Sequence, residues 1–352
     1  MTEIFVKIKN LNWFYFFTVS FLSFVGVVMI YSATSAMENN IFINHLTKVF
    51  LGLAAMTLVS LIEIDFWKKN AFYLYIFFLF LLIWASFYGH IGKGSRRWIE
   101  FLGFYIQPSE FMKIAIIMAL AKFFDEKQIK DPRDYFFLVL PIFLILLPVG
   151  LILKQPDLGT AVIILLFCFF IFYIAGLSWK FFGLIISTML MITPYIWSLL
   201  KNYQKQRILT LFNPENDPLG SGYHIIQSQI AIGSGGFFGK GWREGTQSHL
   251  DFLPEKHTDF IFSMLGEEFG FLGTFSVIGL IITITLVTYH ISNKFDRDNF
   301  KRILGIGIIT NFFLAAMINI SMVIGILPVV GLPLPLVSYG GSSMLTYFIG
   351  FG

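Results

Sequence analysis

Charged side chains are scarce in this chain. Asp, Glu, Lys and Arg make up only 13% of its 352 residues, against roughly 25% in a soluble domain. That scarcity, beside 56% hydrophobic residues, excludes a water-soluble globular protein and points to an integral membrane protein. Cysteine is nearly absent. The single Cys168 lies in an apolar run, which rules out a disulfide framework and a thiolate metal site. Neither sign of charge is in large excess. A net charge of +4 is too small for a nucleic-acid footprint and reads as positive-inside bias. There is no visible internal repeat and no inverted pair of broken apolar segments, which argues against a common transporter architecture. The first apolar run lacks a small-residue cleavage site and further runs follow it, so it is expected to act as a signal anchor.

What the chain does contain is one apolar run after another. A membrane helix takes roughly 20 apolar residues. The sequence predicts about ten spans, near 12–31, 45–63, 71–89, 108–124, 135–153, 158–176, 180–200, 261–289, 302–327 and 334–352. The expected fold class is an all-α polytopic membrane protein, one domain over 1–352. Its large extracytoplasmic loop, 201–262, falls between the seventh and eighth spans. Basic residues gather at Lys7, Lys9, Lys68, Lys69, Lys122, Lys127, Lys130, Arg133, Lys180, Lys294, Arg297, Lys301 and Arg302. The alternate short loops hold fewer: Lys48, Lys93, Arg96, Arg97 and Lys154. Both termini are therefore expected in the cytoplasm and the 201–262 loop outside. The basic group at 93–97 breaks the rule, as contact with an outer anion or with lipid headgroups would require.

The loop is too long to be a mere connection, and its glycines, aromatics and apolar residues argue against disorder. Residues 223–232 have roughly helical spacing and suit a helix lying at the interface. The Gly-rich 233–241 is expected to turn tightly or to move as a lid. It is no nucleotide-binding P-loop, because Gly241 follows Lys240 where Ser or Thr is needed. His249 and His257, with Asp251, Glu255 and Asp259, match no zinc spacing.

Four places put ionisable or strongly polar groups at a span. In Gln107-Pro108-Ser109-Glu110-Phe111-Met112-Lys113, Glu110 and Lys113 share a helix face, as a self-neutralising pair or as part of a cavity. In Gln155-Pro156-Asp157, Asp157 reads alone as an N-cap, and beside Glu110 and Lys113 as part of one polar pocket. Thr258 and Asp259 stand where the loop enters a helix, as an N-cap or as functional groups. Glu267 and Glu268 follow inside that helix and need partners, with Lys113 one candidate. The last place, Ser338-Tyr339-Gly340-Gly341-Ser342-Ser343, suits either tight helix packing or ligand contact.

These motifs, together with Gly94-Ser95-Arg96-Arg97-Trp98-Ile99, closely resemble the SEDS family of cell-wall polymerases in residue and in order. Asn213-Pro214-Glu215, Asp217-Pro218 and Gly245-Thr246-Gln247-Ser248 resemble the family's elongation branch more than its division branch. The resemblance implies a ten-helix fold in the bacterial inner membrane. It implies a peptidoglycan glycosyltransferase acting on lipid II, partnered by a class B penicillin-binding protein. It also implies that Asp259 is the essential loop carboxylate. Glu110, Lys113, Asp157 and Trp98 are then substrate-binding, with Arg96, Thr258 and Ser338 beside them. The family usually continues into a basic tail, and this sequence ends at Gly352.

Glycosyl transfer from a lipid diphosphate needs a base for the attacking hydroxyl and positive charge for the leaving group. Asp259 is the expected base. Arg96, Arg97, Lys113, Arg207 or Lys240 are the candidates for the diphosphate, and a divalent cation, Mg²⁺ or Mn²⁺, is the other way to offset it. Three rival readings are a division-type polymerase, a lipid II flippase and a scaffold for the penicillin-binding protein.

Overall fold

The computed structural model describes residues 9, 11–34, 40–92, 95–101, 103–127, 135–200, 202–217, 220–250, 252–253, 255–295 and 298–352. Lys7, Lys93, Gly94, Lys130, Arg133, Lys201, Pro218, Asp251, Pro254 and Arg297 lie outside them. The helices in chain order are α1 Trp13–Ala33, α2 Asn40–Ser60 and α3 Ile64–Tyr88. A small antiparallel sheet follows, β1 His90–Gly92, β2 Ser95–Phe101 and β3 Phe104–Ile106, in that order. Then come α4 Pro108–Glu126, α5 Val139–Lys154, α6 Leu158–Ile174 and α7 Trp179–Leu199. The loop holds α8 Asn202–Phe212, α9 Ser221–Ser234 and the single turn α10 Thr246–His249. The chain closes with α11 Ile261–Asn293, α12 Asn299–Val323 and α13 Gly341–Phe351.

Each predicted span contains one helix, with shifted ends. The third begins earlier than the apolar run, at Ile64, and its Lys68 pairs with Asp125 at 2.5 Å. The last is shorter than the expected 334–352. Residues 335–337 form a turn, Leu336 has φ 64°, and helix begins only at Gly341. Six helices, among the described residues, are long and apolar enough to cross a membrane by length and composition. Charge at Glu110, Lys113 and Lys122 interrupts α4, while α6 has 17 residues and α13 only 11.

Burial divides the helices. α4 is buried along nearly its whole length, and 67% of the apolar window of α12 is buried, so these two make the centre. α2, α3 and α11 bury only 22% of theirs and turn the rest outward. α7 is the extreme: Phe181 and Phe182 are buried at one end, while Leu184, Met189, Leu190, Met191 and Tyr195 are exposed. Side chains of this kind suit a lipid surround. Local signals set the helix starts. Pro108 occupies the first turn of α4, where a missing N–H costs nothing. Asp157 caps α6 by accepting from Thr160 N at 3.2 Å, and Asp298 caps α12 by accepting from Lys301 N at 3.1 Å.

The long α11 breaks at Gly270, whose φ of 63° and ψ of −158° leave the helical region. Residues 236–241 insert at the break. The carbonyls of Glu267 and Glu268 accept from Lys240 N at 3.0 Å and Gly241 N at 3.1 Å. Phe271 N and Leu272 N donate to Gly236 O at 2.9 Å and Phe237 O at 3.2 Å. In an unbroken helix these four groups would bond to each other. The loop has traded two helical hydrogen bonds for four of its own. The Gly-rich segment thus turns tightly and is pinned to α11, while the helix expected at 223–232 is present as α9.

Candidate active site

Two polar groupings meet at the start of α13. The first comes from β2, α4 and the α5–α6 turn. Strand alternation sends Arg96 and Arg97 to opposite faces. Arg97 Nη1 reaches Asp157 Oδ2 at 3.3 Å, whereas exposed Arg96 turns back toward Phe87 O at 3.5 Å. Trp98 is half-buried on the same strand. Gln107 Nε2 donates to the same Asp157 oxygen at 3.1 Å, and Gln107 N donates to Ser342 Oγ at 2.9 Å. Glu110 and Lys113, both buried, form an ion pair of 2.9 Å one turn further along α4. Lys113 Nζ also lies 5.7 Å from the centre of the Tyr347 ring of α13. Asp157 therefore serves both readings at once: one oxygen caps α6 and the other joins the polar pocket.

The second grouping is the entry of the loop into α11. Thr258 Oγ1 donates to Glu255 Oε2 at 2.9 Å, and Thr258 O accepts from Ser338 Oγ at 2.5 Å. Ser338 Oγ in turn accepts from Leu334 N at 2.8 Å. Tyr339 N donates to His257 O at 2.9 Å. Asp259 is half-buried, and its main-chain carbonyl accepts from Asn319 Nδ2 of α12 at 2.8 Å. The same amide donates to Leu332 O at 2.6 Å, so Asn319 ties the loop end to the stretch before α13. A Cβ placed on Gly331 would lie 3.6 Å from Asp259 Oδ2, which puts that carboxylate beside the α12–α13 connection.

The N-cap expectation for Thr258 or Asp259 is overturned. The cap position of α11 is Phe260, with no side-chain bond, because the helix begins one residue later. Lys113 is not the partner of the two glutamates. It is taken by Glu110, while Glu267 Oε1 meets Lys240 Nζ at 2.8 Å and Glu268 Oε1 meets His249 Nε2 at 3.0 Å and Ser32 Oγ at 2.6 Å. Among the described residues no three His, Cys, Asp or Glu side chains are grouped to hold a metal ion. Sequence reasoning passed over Asn319, although a buried amide in the middle of an apolar span was a signal of the kind that singled out Glu110.

Fold and site together define a polytopic membrane protein in which charged and amide side chains from several helices converge beneath a structured loop. Over residues 12–352 the chain matches the cell cycle protein family FtsW/RodA/SpoVE, and it belongs to that family. It is 42% identical to the peptidoglycan glycosyltransferase MrdB of Escherichia coli (strain K12), over 87% of this chain and 82% of MrdB. The peptidoglycan glycosyltransferase RodA of Treponema pallidum is 31% identical, over 98% of this chain and 96% of that protein. Among solved structures, RodA of Thermus thermophilus superposes with a TM-score of 0.72 at 27% identity, covering 97% of this chain and 94% of its own. A chain from a peptidoglycan synthase complex, solved for how polymerization and crosslinking are coordinated, reaches 0.83 at 29% identity, covering 97% and 95%.

Proposed function

We infer that this chain is a peptidoglycan glycosyltransferase of the elongation type, joining lipid II units into glycan strands in the bacterial inner membrane. The observation that carries the mechanism is the meeting of the two polar groupings at α13: the Thr258–Asp259 end bonds to Ser338, and Gln107, bonded to Asp157, bonds to Ser342. In this reading Asp259 takes the proton from the C4 hydroxyl of the acceptor sugar. The hydroxyl oxygen bonds to the anomeric carbon of the donor, and the lipid diphosphate leaves with the bonding pair. Such base catalysis contributes about 10²–10⁴-fold. Asn319 and Ser338 position Asp259 through the main chain. Arg97 and the Glu110–Lys113 pair set the electrostatics around Asp157 and the incoming sugar. Any divalent cation, Mg²⁺ or Mn²⁺, enters with the diphosphate rather than on a protein-built site, and chelation followed by add-back tests that.

The finer topology belongs to the same proposal. All ten predicted spans are embedded, α8 to α10 lie outside the cell, and both termini lie in the cytoplasm. Cysteine labelling at single introduced sites in the loop and near each end checks it. The partner is a class B penicillin-binding protein that crosslinks the new strand. The deciding experiment is lipid II polymerisation by the purified chain, with and without that partner, in wild type and Asp259→Ala. Full polymerisation by the variant removes Asp259 from the mechanism, and none by the wild type in either condition removes the function.

A further inference from the structure

The start of α13 carries unusual positive character. An α-helix leaves its first N–H groups without intrahelical partners and bears partial positive charge there. In α13 the cap residue is Gly340, which has no side chain to accept from them, and the first bond of the new helix is Met344 N to Gly340 O. The amides of Gly341, Ser342 and Ser343 precede it. A lysine is the wrong neighbour for such an end, yet Lys48 of α2 is seated there. A Cβ on Gly341 would lie 3.1 Å from Lys48 Cε and 3.4 Å from its Nζ. Lys48 donates to Tyr339 Oη at 3.0 Å, and no carboxylate pairs with it among the described residues. One turn away on the same face of α2 stands His45. It is fully buried, its ring centre is 6.0 Å from that of Tyr339, and both its nitrogens lack a hydrogen-bond partner. A helix N-terminus, an ammonium and an orphaned imidazole gathered about Tyr339 are reconciled by an anion.

We propose that the N-terminus of α13, with Lys48 and His45, is the seat of the substrate's lipid-linked diphosphate. This rests on the polymerase reading for the identity of the ligand and adds the place that holds it. Diphosphate oxygens accept from the α13 amides and from Lys48 Nζ, with His45 able to donate from one nitrogen. Such charge-assisted bonds are the strong class. The placement suits the chemistry. His257 O bonds to Tyr339 N and Ser338 Oγ to Thr258 O, so the seat adjoins the segment that carries Asp259. On the other side Ser342 Oγ receives Gln107 N from the Asp157 pocket. A leaving group held at α13 is therefore flanked by the base on one side and the polar pocket on the other. None of the sequence's own candidates for the diphosphate included Lys48. It sits in an apolar run and shows its role only once α2 is laid along α13.

The test is titration of purified wild type, Lys48→Met, Lys48→Gln and Lys48→Arg with farnesyl diphosphate, farnesol and a short-chain phosphatidylglycerol. Lys48→Gln keeps most of the side-chain length and a donor N–H while removing the charge. The expected result is a loss of about tenfold or more in farnesyl diphosphate affinity for Met and Gln, most of it recovered in Arg, with farnesol binding unchanged. His45→Phe weakens the diphosphate by a smaller factor. Lipid II kinetics in Lys48→Gln should show a raised KM and a lowered kcat, because the charge that binds the diphosphate also offsets it as it leaves. Wild-type affinity in both Met and Gln overturns the proposal. So does phosphatidylglycerol competing as well as the diphosphate, which would make the seat an ordinary lipid-headgroup contact. Asp259→Ala separates the two claims: it should bind farnesyl diphosphate like wild type while failing to polymerise. Lys48-dependent binding by a chain that never polymerises lipid II upholds the seat and sinks the polymerase reading. Polymerisation with Lys48-independent binding does the reverse.

Discussion

Glu267 and Asp259 belong to the same junction between loop and helix, and the protein buries them to different depths. Glu267 is fully buried and saturated: its carboxylate accepts from Lys240 Nζ, from Gln247 N, and from both the amide and the hydroxyl of Ser248. Asp259 is half-buried, and its main-chain carbonyl accepts from the Asn319 amide of α12. A carboxylate surrounded by matched donors has been spent on structure, since moving it orphans every one of them. Two acidic residues that look alike in sequence are thus told apart by depth of burial and by the tie of one main chain to α12.

Substitution should widen that contrast. Asp259→Ala is expected to lower lipid II polymerisation by at least about 10²-fold while leaving the thermal unfolding midpoint near wild type. Equal loss of folding and activity would erase the distinction. Glu267→Ala should do the converse, costing on the order of 3 kcal/mol as two main-chain amides and Lys240 lose their acceptor. Hydrogen exchange at Gln247 and Ser248 would rise first. Asn319→Ala falls between them: it frees the carbonyls of Asp259 and Leu332, with an expected cost of about 1–3 kcal/mol and a drop in kcat larger than any change in KM. An unaltered kcat would mean that Asp259 is positioned by something other than this amide.

The smallest effect concerns pH. His224 on α9, whose ring centre is 5.9 Å from that of Phe260, has its pKa lowered by burial, a shift only partly opposed by the Glu255 and Asp217 carboxylates. Its folded-state pKa is therefore below its unfolded one. The unfolded chain takes up the proton first as pH falls, so the stability from His224 is intact above the ordinary histidine value of roughly 6.5 and fades below it. Thermal melts between pH 5 and pH 8 should carry that slope, and His224→Gln should flatten it.

Much of this was legible in the residues. Apolar runs placed the helices, and charge inside a span drew attention to Glu110, Lys113 and Asp157, which the fold does bring to one region. What was hidden has a common cause. Lys48 lies in an apolar stretch of α2 and Asn319 in one of α12, and each bonds to an element distant in sequence that the apolar run does not announce. The same blindness matched Lys113 to Glu267 and Glu268, because charge alone does not reveal which helix lies beside which. Where the signal was local, as with Asp157 as a cap, the reading needed no tertiary knowledge.

The break at Gly270 carries a consequence for how the chain is made. The main-chain groups of α11 around the break bond to residues 236–241, which leave the ribosome before it does. While α11 is emerging, those groups have no partner within their own helix at the native geometry. The segment must therefore wait, already synthesised, until α11 arrives to be threaded by it. Biogenesis of this helix and closure of the loop are then a single event. A nick between α10 and α11 made after assembly should be tolerated, whereas separate synthesis of the two halves should leave α11 to mature as a different, straighter rod.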